Sequence, residues 1–457
     1  GRHRGADPAG HHQAGEHQQR AHGRDPATGL SERELFWDIL VPFLDSFVYR
    51  VVNVKSPRTG DKVRAYFIGF LYTTQQMVKL RKSDPQLLIN GVQKAVDLGT
   101  SLGAEICGLG AFTSIITHNG TDMDDTYIRI TSGNSYTAAL IWQSVLKAAD
   151  YADVDLNKCT AAVVGAGGNI GSVSASLLSE DIPRLILVGS RRSQTLDRLR
   201  DVAVTIYSDT VDVIRTTRPQ ELKGLPARLA QELLLPFAEL NTSTYRFKED
   251  AIHKYIEKNF KGKQRKAGHL IESIFHRRPA PDIGEKVYQA VQILHGRDPY
   301  ITLSNNLKIS IPEADVVVSA VSADRSIMDV QWFKPGAIVN DVSLPPSISN
   351  TIYKERPDVI ATQGGVGHLP EYINLGIPGL AVGATLGCMA ETFILTMMNM
   401  IDSYSYGNIT KQQVVKIWEA GRILGFGLAA IKYRGNMKLT REITAQIKEK
   451  SAGGNGK

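Results

Sequence analysis

TAAVVGAGGNIGS (160–172) is the stretch on which the fold turns. After Thr160 come four small or β-branched apolar residues without polar alternation, then glycines at 165, 167, 168 and 171, then a helical run, SVSASLLSE (172–180). An unalternating apolar run suits a strand covered on both faces. The glycines permit a tight turn and a close approach of a ligand to the backbone. The following helix then points its first N–H groups at an anion. Gly165, Gly167, Gly168, Asn169, Ile170 and Gly171 are therefore the candidate cradle for a pyrophosphate.

Working outward, five more short apolar runs bounded by loop signals follow: RLILVG (184–189), YITLS (300–304), ADVVVSA (314–320), GAIVND (336–341) and PDVIAT (357–362). Six such runs predict an α/β fold built on a doubly wound parallel sheet of the Rossmann type. The second run ends in VGSRRSQ (188–194). An Asp or Glu here would hold a ribose 2′-OH; Ser190, Arg191 and Arg192 suit a 2′-phosphate instead, so the expected cofactor is NADPH. The strand rhythm breaks between about 208 and 297, where the composition is helical and partly basic, and this reads as an insertion into a nucleotide-binding domain spanning 156–365.

The remaining chain divides around that core. Residues 1–32 are polar, carry five of the eleven histidines and read as a disordered tail. Residues 33–155 read as an N-terminal α/β domain on the substrate side, with strands VYRVVNV (48–54) and VRAYFIGFLY (63–72) and a helix over 77–103. GLGAFTSII (108–116) and TSGNSYTAA (131–139) are polar, Gly-containing loops, the second leading into a helix. Residues 366–450 read as a C-terminal helical region.

With 457 residues, 42% apolar and 22% charged, the chain is long enough for two or three soluble domains. Its net charge of +7 is mild; the basic part of the insertion is open to nucleic acid, anionic lipid or an acidic carrier protein. Three irregularly spaced cysteines argue against a disulfide framework and a cysteine zinc site, and fit a reducing, cytoplasmic setting; no metal is expected. The apolar 376–401 stretch has Gly379, Gly383 and Gly387 at four-residue spacing, as in membrane helix packing, yet it contains Pro378 and Glu391. A helix in a soluble core is the reading adopted, with peripheral membrane contact left open.

Cys159 precedes the first sheet strand and reads as structural. Cys107 lies in the Gly-rich AEICGLGAF, where position does not exclude a role. Cys388 follows GATLG; with Thr385 as cap it stands in the first helical turn, where the helix dipole lowers a thiol pKa, opposed by Glu391 one turn on.

LGAEICGLGAFTSII, TSGNSYTAALIWQSV, TAAVVGAGGNIGS, ATQGGVGHLPE and LGCMAETFIL, in this order, resemble the cyanobacterial-type long-chain acyl-[acyl carrier protein] reductases. The resemblance runs in patches over about 35–430, outside the insertion. It implies NADPH-dependent reduction of a fatty acyl-ACP or acyl-CoA to a fatty aldehyde. It also implies that Cys388, in Cys-Met-Ala-Glu-Thr, is the acylated nucleophile. Ser132 and Asn134 are candidate oxyanion donors and His368 a candidate proton donor; Glu391 joins the candidate site. A carrier protein at a basic surface is the expected partner, and nucleic acid is not. Three other readings fit the same motifs: a glutamyl-tRNA reductase-like enzyme with the same thioester chemistry, a shikimate-like dehydrogenase without a thiol, and a nucleotide-binding module without turnover.

Overall fold

The computed structural model describes residues 46–453 apart from positions 71, 192–193, 235–248, 277, 323–324, 344, 378, 401 and 434–436. The expected tail, Arg192 and Pro378 lie outside the described residues. An antiparallel hairpin opens the described chain, β1 (Phe47–Lys55) with β2 (Lys62–Gly69). Two helices follow, Thr74–Ser83 and Pro85–Ser101, where the apolar period predicts a single one. The break falls at Asp84-Pro85: proline has no N–H to continue a ladder and serves at N1, while the Asp84 side chain accepts from Leu87 N. A short parallel pair, β3 (Ile106–Gly108) and β4 (Arg129–Thr131), precedes the long helix Asn134–Ala152.

The main sheet contains β5 (Thr160–Val164), β6 (Arg184–Val188), β7 (Ile301–Ser304), β8 (Val316–Ser319), β9 (Ile338–Asp341) and β10 (Ile360–Gln363), all parallel, in the spatial order β10-β9-β8-β5-β6-β7. Counted from β5 this is 3-2-1-4-5-6, the order of doubly wound dinucleotide-type sheets. A three-stranded sheet, β11 (Val366–His368), β12 (Ala384–Leu386) and β13 (Gly427–Leu428), lies beyond. The antiparallel β14 (Lys432–Tyr433) and β15 (Met437–Lys438) extend the main sheet at the β10 edge, two strands that the apolar runs did not announce.

The apolar runs have a direct structural cause. Ala161 and Val163 face one core, with Leu185, Leu187, Val316 and Val318. Ala162 and Val164 face the other, with Ile186, Val188, Val317 and Val339. Each of these named positions is buried, so the central strands tolerate no polar alternation; each large aliphatic side chain contributes about 1.5–3 kcal/mol by leaving water.

Among the described residues, 208–297 contains helices and no strand, as the composition predicts. The boundary at 208 cuts a helix, Thr195–Thr216, and the segment is not an appendage. Ile252, Ile256, Ile271 and Phe275 share one continuous core with the sheet residues Val163 and Leu187. Among the described residues no helix is long and apolar enough to cross a membrane. The stretch that hinted at one forms β12 and the helix Gly387–Met397.

Candidate active site

A cleft of about 690 Å³ opens at the carboxyl ends of the parallel strands. Its floor comes from the loops after β5 (Gly167 to Ile170), β8 (Ala320 to Ser322), β9 (Asp341 to Ser343) and β10 (Gln363 to Gly365). Ligands of open α/β sheets bind at such an edge. The facing wall brings Cys388 together with Ser132 and Asn134, which lie more than 250 positions earlier in the chain.

The glycine turn is built for close approach. Gly165 has φ +85°, and a Cβ there would stand 2.4 Å from Ala320 O. A Cβ on Gly171 would stand 2.2 Å from Gly165 O, so the helix Asn169–Ser179 starts directly on the turn. Asn169 donates through Nδ2 to Gly407 O (2.7 Å) and accepts at Oδ1 from Ile409 N (2.9 Å). That side chain thus ties the turn to the 405–409 segment, while the first N–H groups of the helix remain for an anion. Ser190, beyond β6, shares a hydrogen bond with Thr195 Oγ1 (3.0 Å), and Arg191 is exposed. Two arginines line the cleft, Arg81 and Arg198, the latter one turn into the next helix, and spacing alone singled out neither.

Cys388 sits in the first turn of Gly387–Met397, as expected, but Thr385 does not cap this helix. The flanking residue is Leu386, and the Thr385 hydroxyl donates to Leu386 O. Nor does the first-turn position lower the thiol pKa. Burial pushes it up and Glu391 adds to the rise; N–H groups of Ala111, Met389 and Cys388 itself pull the other way and do not win. Ala111 was missed in the sequence: at φ 51°, ψ −122° it occupies a region that costs a non-glycine residue about 1–3 kcal/mol, and its N–H is turned to the sulfur. Cys107 is pushed up to about 11 by burial alone. Cys159 is buried, donates to Asp155 O and is pushed up to about 11 by burial first, which fits the structural reading.

Glycines bring the walls together. A Cβ on Gly133 would lie 2.1 Å from Cys388 Cα, and one on Gly387 2.7 Å from Thr137 Cα. The helix Asn134–Ala152 begins after Gly133 (φ 70°), with no side-chain cap of its own, so neither Ser132 nor Asn134 caps it. Ser132 Oγ donates to Ser405 O (2.5 Å), and Asn134 Nδ2 to Asn119 Oδ1 (3.1 Å).

Glu391 supplies the missing cap. It is fully buried and accepts from Tyr136 N (2.7 Å) and Thr131 Oγ1 (2.5 Å), with Ser405 and the Ser135 N–H also pointing at it. One helix thus lends a carboxyl to the N-terminus of another. Burial nonetheless raises its pKa above the ordinary value. His368 is not brought in: it lines neither the cleft nor the groove described next, its Nδ1 is shared with Leu369 O (3.1 Å), and its ring lies against Gly427. It stands at the far end of β11, three strand positions from the loop that lines the cleft, so the proton-donor expectation has no geometric support.

Behind Cys388 a second cavity of about 500 Å³ runs between β2, β3 and the Cys388 helix. Ala65, Phe67, Ile106, Met389 and Phe393 are among its apolar walls, with Cys107 on one side. Cys388 lines both cavities.

No family model matches the chain. Over 351 residues, 75% of the chain, it is 22% identical to aminotransferase PigE of a Serratia species, covering 30% of that protein. Over 153 residues, 31% of the chain, it is 31% identical to the long-chain acyl-[acyl-carrier-protein] reductase of Synechococcus elongatus, covering 43% of it. The chain therefore spans less than half the length of either curated relative. Both are enzymes, and the relationship to each is distant.

Proposed function

We propose that this chain is an NADPH-dependent acyl thioester reductase that forms a fatty aldehyde through an acyl-enzyme on Cys388. One observation carries the reading. Cys388 lines both a glycine-floored cleft that carries Ser132, Asn134, Asn169 and Asp341 and a groove walled by Ala65, Phe67, Ile106 and Phe393, so one residue reaches both cavities. The similarity to the Synechococcus reductase agrees with it.

In this reading the apolar groove takes the acyl chain, each methylene removed from water adding about 0.8 kcal/mol. The Cys388 thiolate attacks the thioester carbonyl, and the C–S bond to the carrier or coenzyme A breaks, its sulfur leaving with a proton. The N–H groups of Ala111 and Met389, which favour negative charge at the sulfur, are the candidate donors for the oxyanion. Ser132 and Asn134 remain close enough to the thiol to shape this pocket. Gly165 to Gly171, with Arg191, Arg192 and Arg198 for a 2′-phosphate, are the residues proposed to hold NADPH, and the narrow Gly165–Gly171 approach suits a pyrophosphate. When bound, that cofactor supplies the hydride that reduces the acyl carbonyl. The hemithioacetal on Cys388 then collapses, releasing aldehyde and regenerating thiolate. One thioester, NADPH and a proton thus give an aldehyde, a free thiol and NADP⁺. The exposed Lys258, Lys261, Lys263 and Lys266 of the insertion are the proposed contact for an acidic carrier protein.

The Serratia relative raises an aminotransferase reading, whose pyridoxal phosphate would need a Schiff-base lysine. Among the described residues no lysine lines the cleft, which favours the reductase. The deciding experiment is intact mass after incubation with palmitoyl-CoA without NADPH. An acyl adduct on the wild type that is lost in Cys388→Ala, together with aldehyde formation once NADPH is added, is the expected result. Absence of any adduct with long-chain acyl donors overturns the proposal.

A further inference from the structure

The helical segment between β6 and β7 carries a side-chain cluster that has no part in the cleft. His253 and Glu257 are four residues apart on the helix Glu249–Asn259. His269 lies near the end of the helix Gly262–Ile271, and Glu272 begins the turn after it. The two helices cross tightly: a Cβ on Gly268 would touch Ile256 at 3.2 Å, and Ile252, Ile256, Ala267 and Ile271 are buried beneath the crossing. The polar residues next to those anchors, His253 and Glu257, therefore meet His269 at the rim on a rigid base.

One ligand atom from each of His253, Glu257 and His269 lies within 4.8 Å of the others. Glu272 Oε2 faces Nδ1 of both rings, 3.2 Å from His253 and 3.4 Å from His269. On the other side, His269 Nε2 stands 2.7 Å from Glu257 Oε1. Glu257 Oε2 is paired with Arg265 (3.3 Å), which leaves one oxygen for another partner. The imidazole rings lie 4.8 Å apart between centroids.

We infer that His253, Glu257 and His269 form a binding site for a zinc-class divalent metal ion, with Glu272 orienting both imidazoles from behind. An imidazole whose Nδ1–H donates to a carboxylate is held in the tautomer that presents Nε2 to a metal. Two such rings and one carboxylate oxygen make a borderline-soft N₂O set, which suits zinc over calcium or magnesium. Bonds of about 2.0–2.1 Å put tetrahedral donors about 3.3 Å apart. Side-chain rotation of these half-exposed residues reaches that spacing, opening the 2.7 Å His269–Glu257 pair and drawing in His253, with the buried anchors in place. The ion takes the place of the proton between His269 Nε2 and Glu257 Oε1, and solvent completes the fourth position. It would staple the two helices of the insertion to each other. The scarcity of cysteine, which argues against a thiolate zinc site, has no bearing on a His and Glu set.

The test titrates Zn²⁺ and Co²⁺ into the chelator-treated full chain by calorimetry and visible spectroscopy. His253→Gln/His269→Gln and Glu257→Gln variants are run in parallel, because residues 1–30 hold five further histidines that could take metal. The wild type is expected to bind one more ion than the double variant, with tetrahedral Co²⁺ bands and a Zn²⁺-dependent rise in thermal midpoint that the double variant lacks. Glu257→Gln, which keeps both imidazoles and the hydrogen-bonding shape, is expected to bind at least tenfold more weakly and covers the case in which the double variant does not fold. Equal stoichiometry and affinity in the wild type and every folded variant would overturn the site and leave only a hydrogen-bonded surface cluster.

Discussion

Replacing Glu391 by Gln separates two roles for this carboxyl, a structural tie between helices and a base for Cys388. Its two oxygens accept from Tyr136 N and Thr131 Oγ1. An amide has one oxygen, so one of these buried donors loses its acceptor, at a cost of about 1–3 kcal/mol. The pH dependence gives the sharper test. Burial raises the folded-state pKa above the ordinary 4.5. A raised acid contributes stability that is fully present below its unfolded value and is lost as the pH rises through the folded one. Each unit of elevation amounts to about 1.4 kcal/mol, and the Gln variant has no such titration. The cost of Glu391→Gln, read from urea denaturation midpoints, should be largest near and below pH 4.5 and shrink as the pH rises past the folded value. Because Glu391 also raises the Cys388 pKa, the variant's thiol should alkylate faster than the wild type at neutral pH. A cost that grows with pH, or slower alkylation, refutes the reasoning and points to a carboxylate that serves Cys388 as a base.

Gly133→Ala should lose thioester acylation and cost about 2–4 kcal/mol in thermal or urea stability, since it combines a left-handed residue with backbone overlap at Cys388 Cα. Gly171→Ala should weaken NADPH binding about tenfold or more in fluorescence titration while leaving thioester exchange at Cys388 intact, because its Cβ meets Gly165 O. Ala65→Trp, which fills the apolar groove, should depress kcat/KM for long acyl chains and spare short ones. Excluding four methylenes removes roughly 3 kcal/mol, a loss of a hundredfold or more. Alkylation of Cys388 should rise about tenfold per pH unit from 7 to 9, because burial raises its pKa and the thiolate is the reactive form. A plateau near neutral pH would show a thiol activated by a partner not yet recognised.

Local pattern determined a good deal of this protein. The parallel strands, the glycine turn at 165–171 and the placement of Cys388 in a first helical turn all follow from residues a few positions apart, where periodicity and glycine geometry act. Pro85 was equally legible as a break, though the apolar period running through it suggested one helix. The site itself was decided by tertiary contact. Gly133 is needed because Cys388, 255 positions later, packs against its backbone, and Glu391, near the thiol in sequence, has its oxygens taken by Tyr136 N–H and Thr131 Oγ1. His368 shows the converse: it stands in the right motif and outside the cleft, because its strand carries it to the Gly427 end. Burial is a property of what surrounds a group, so only the packed structure could reverse the helix-dipole argument for Cys388. The same packing set Cys388 in the walls of two cavities at once.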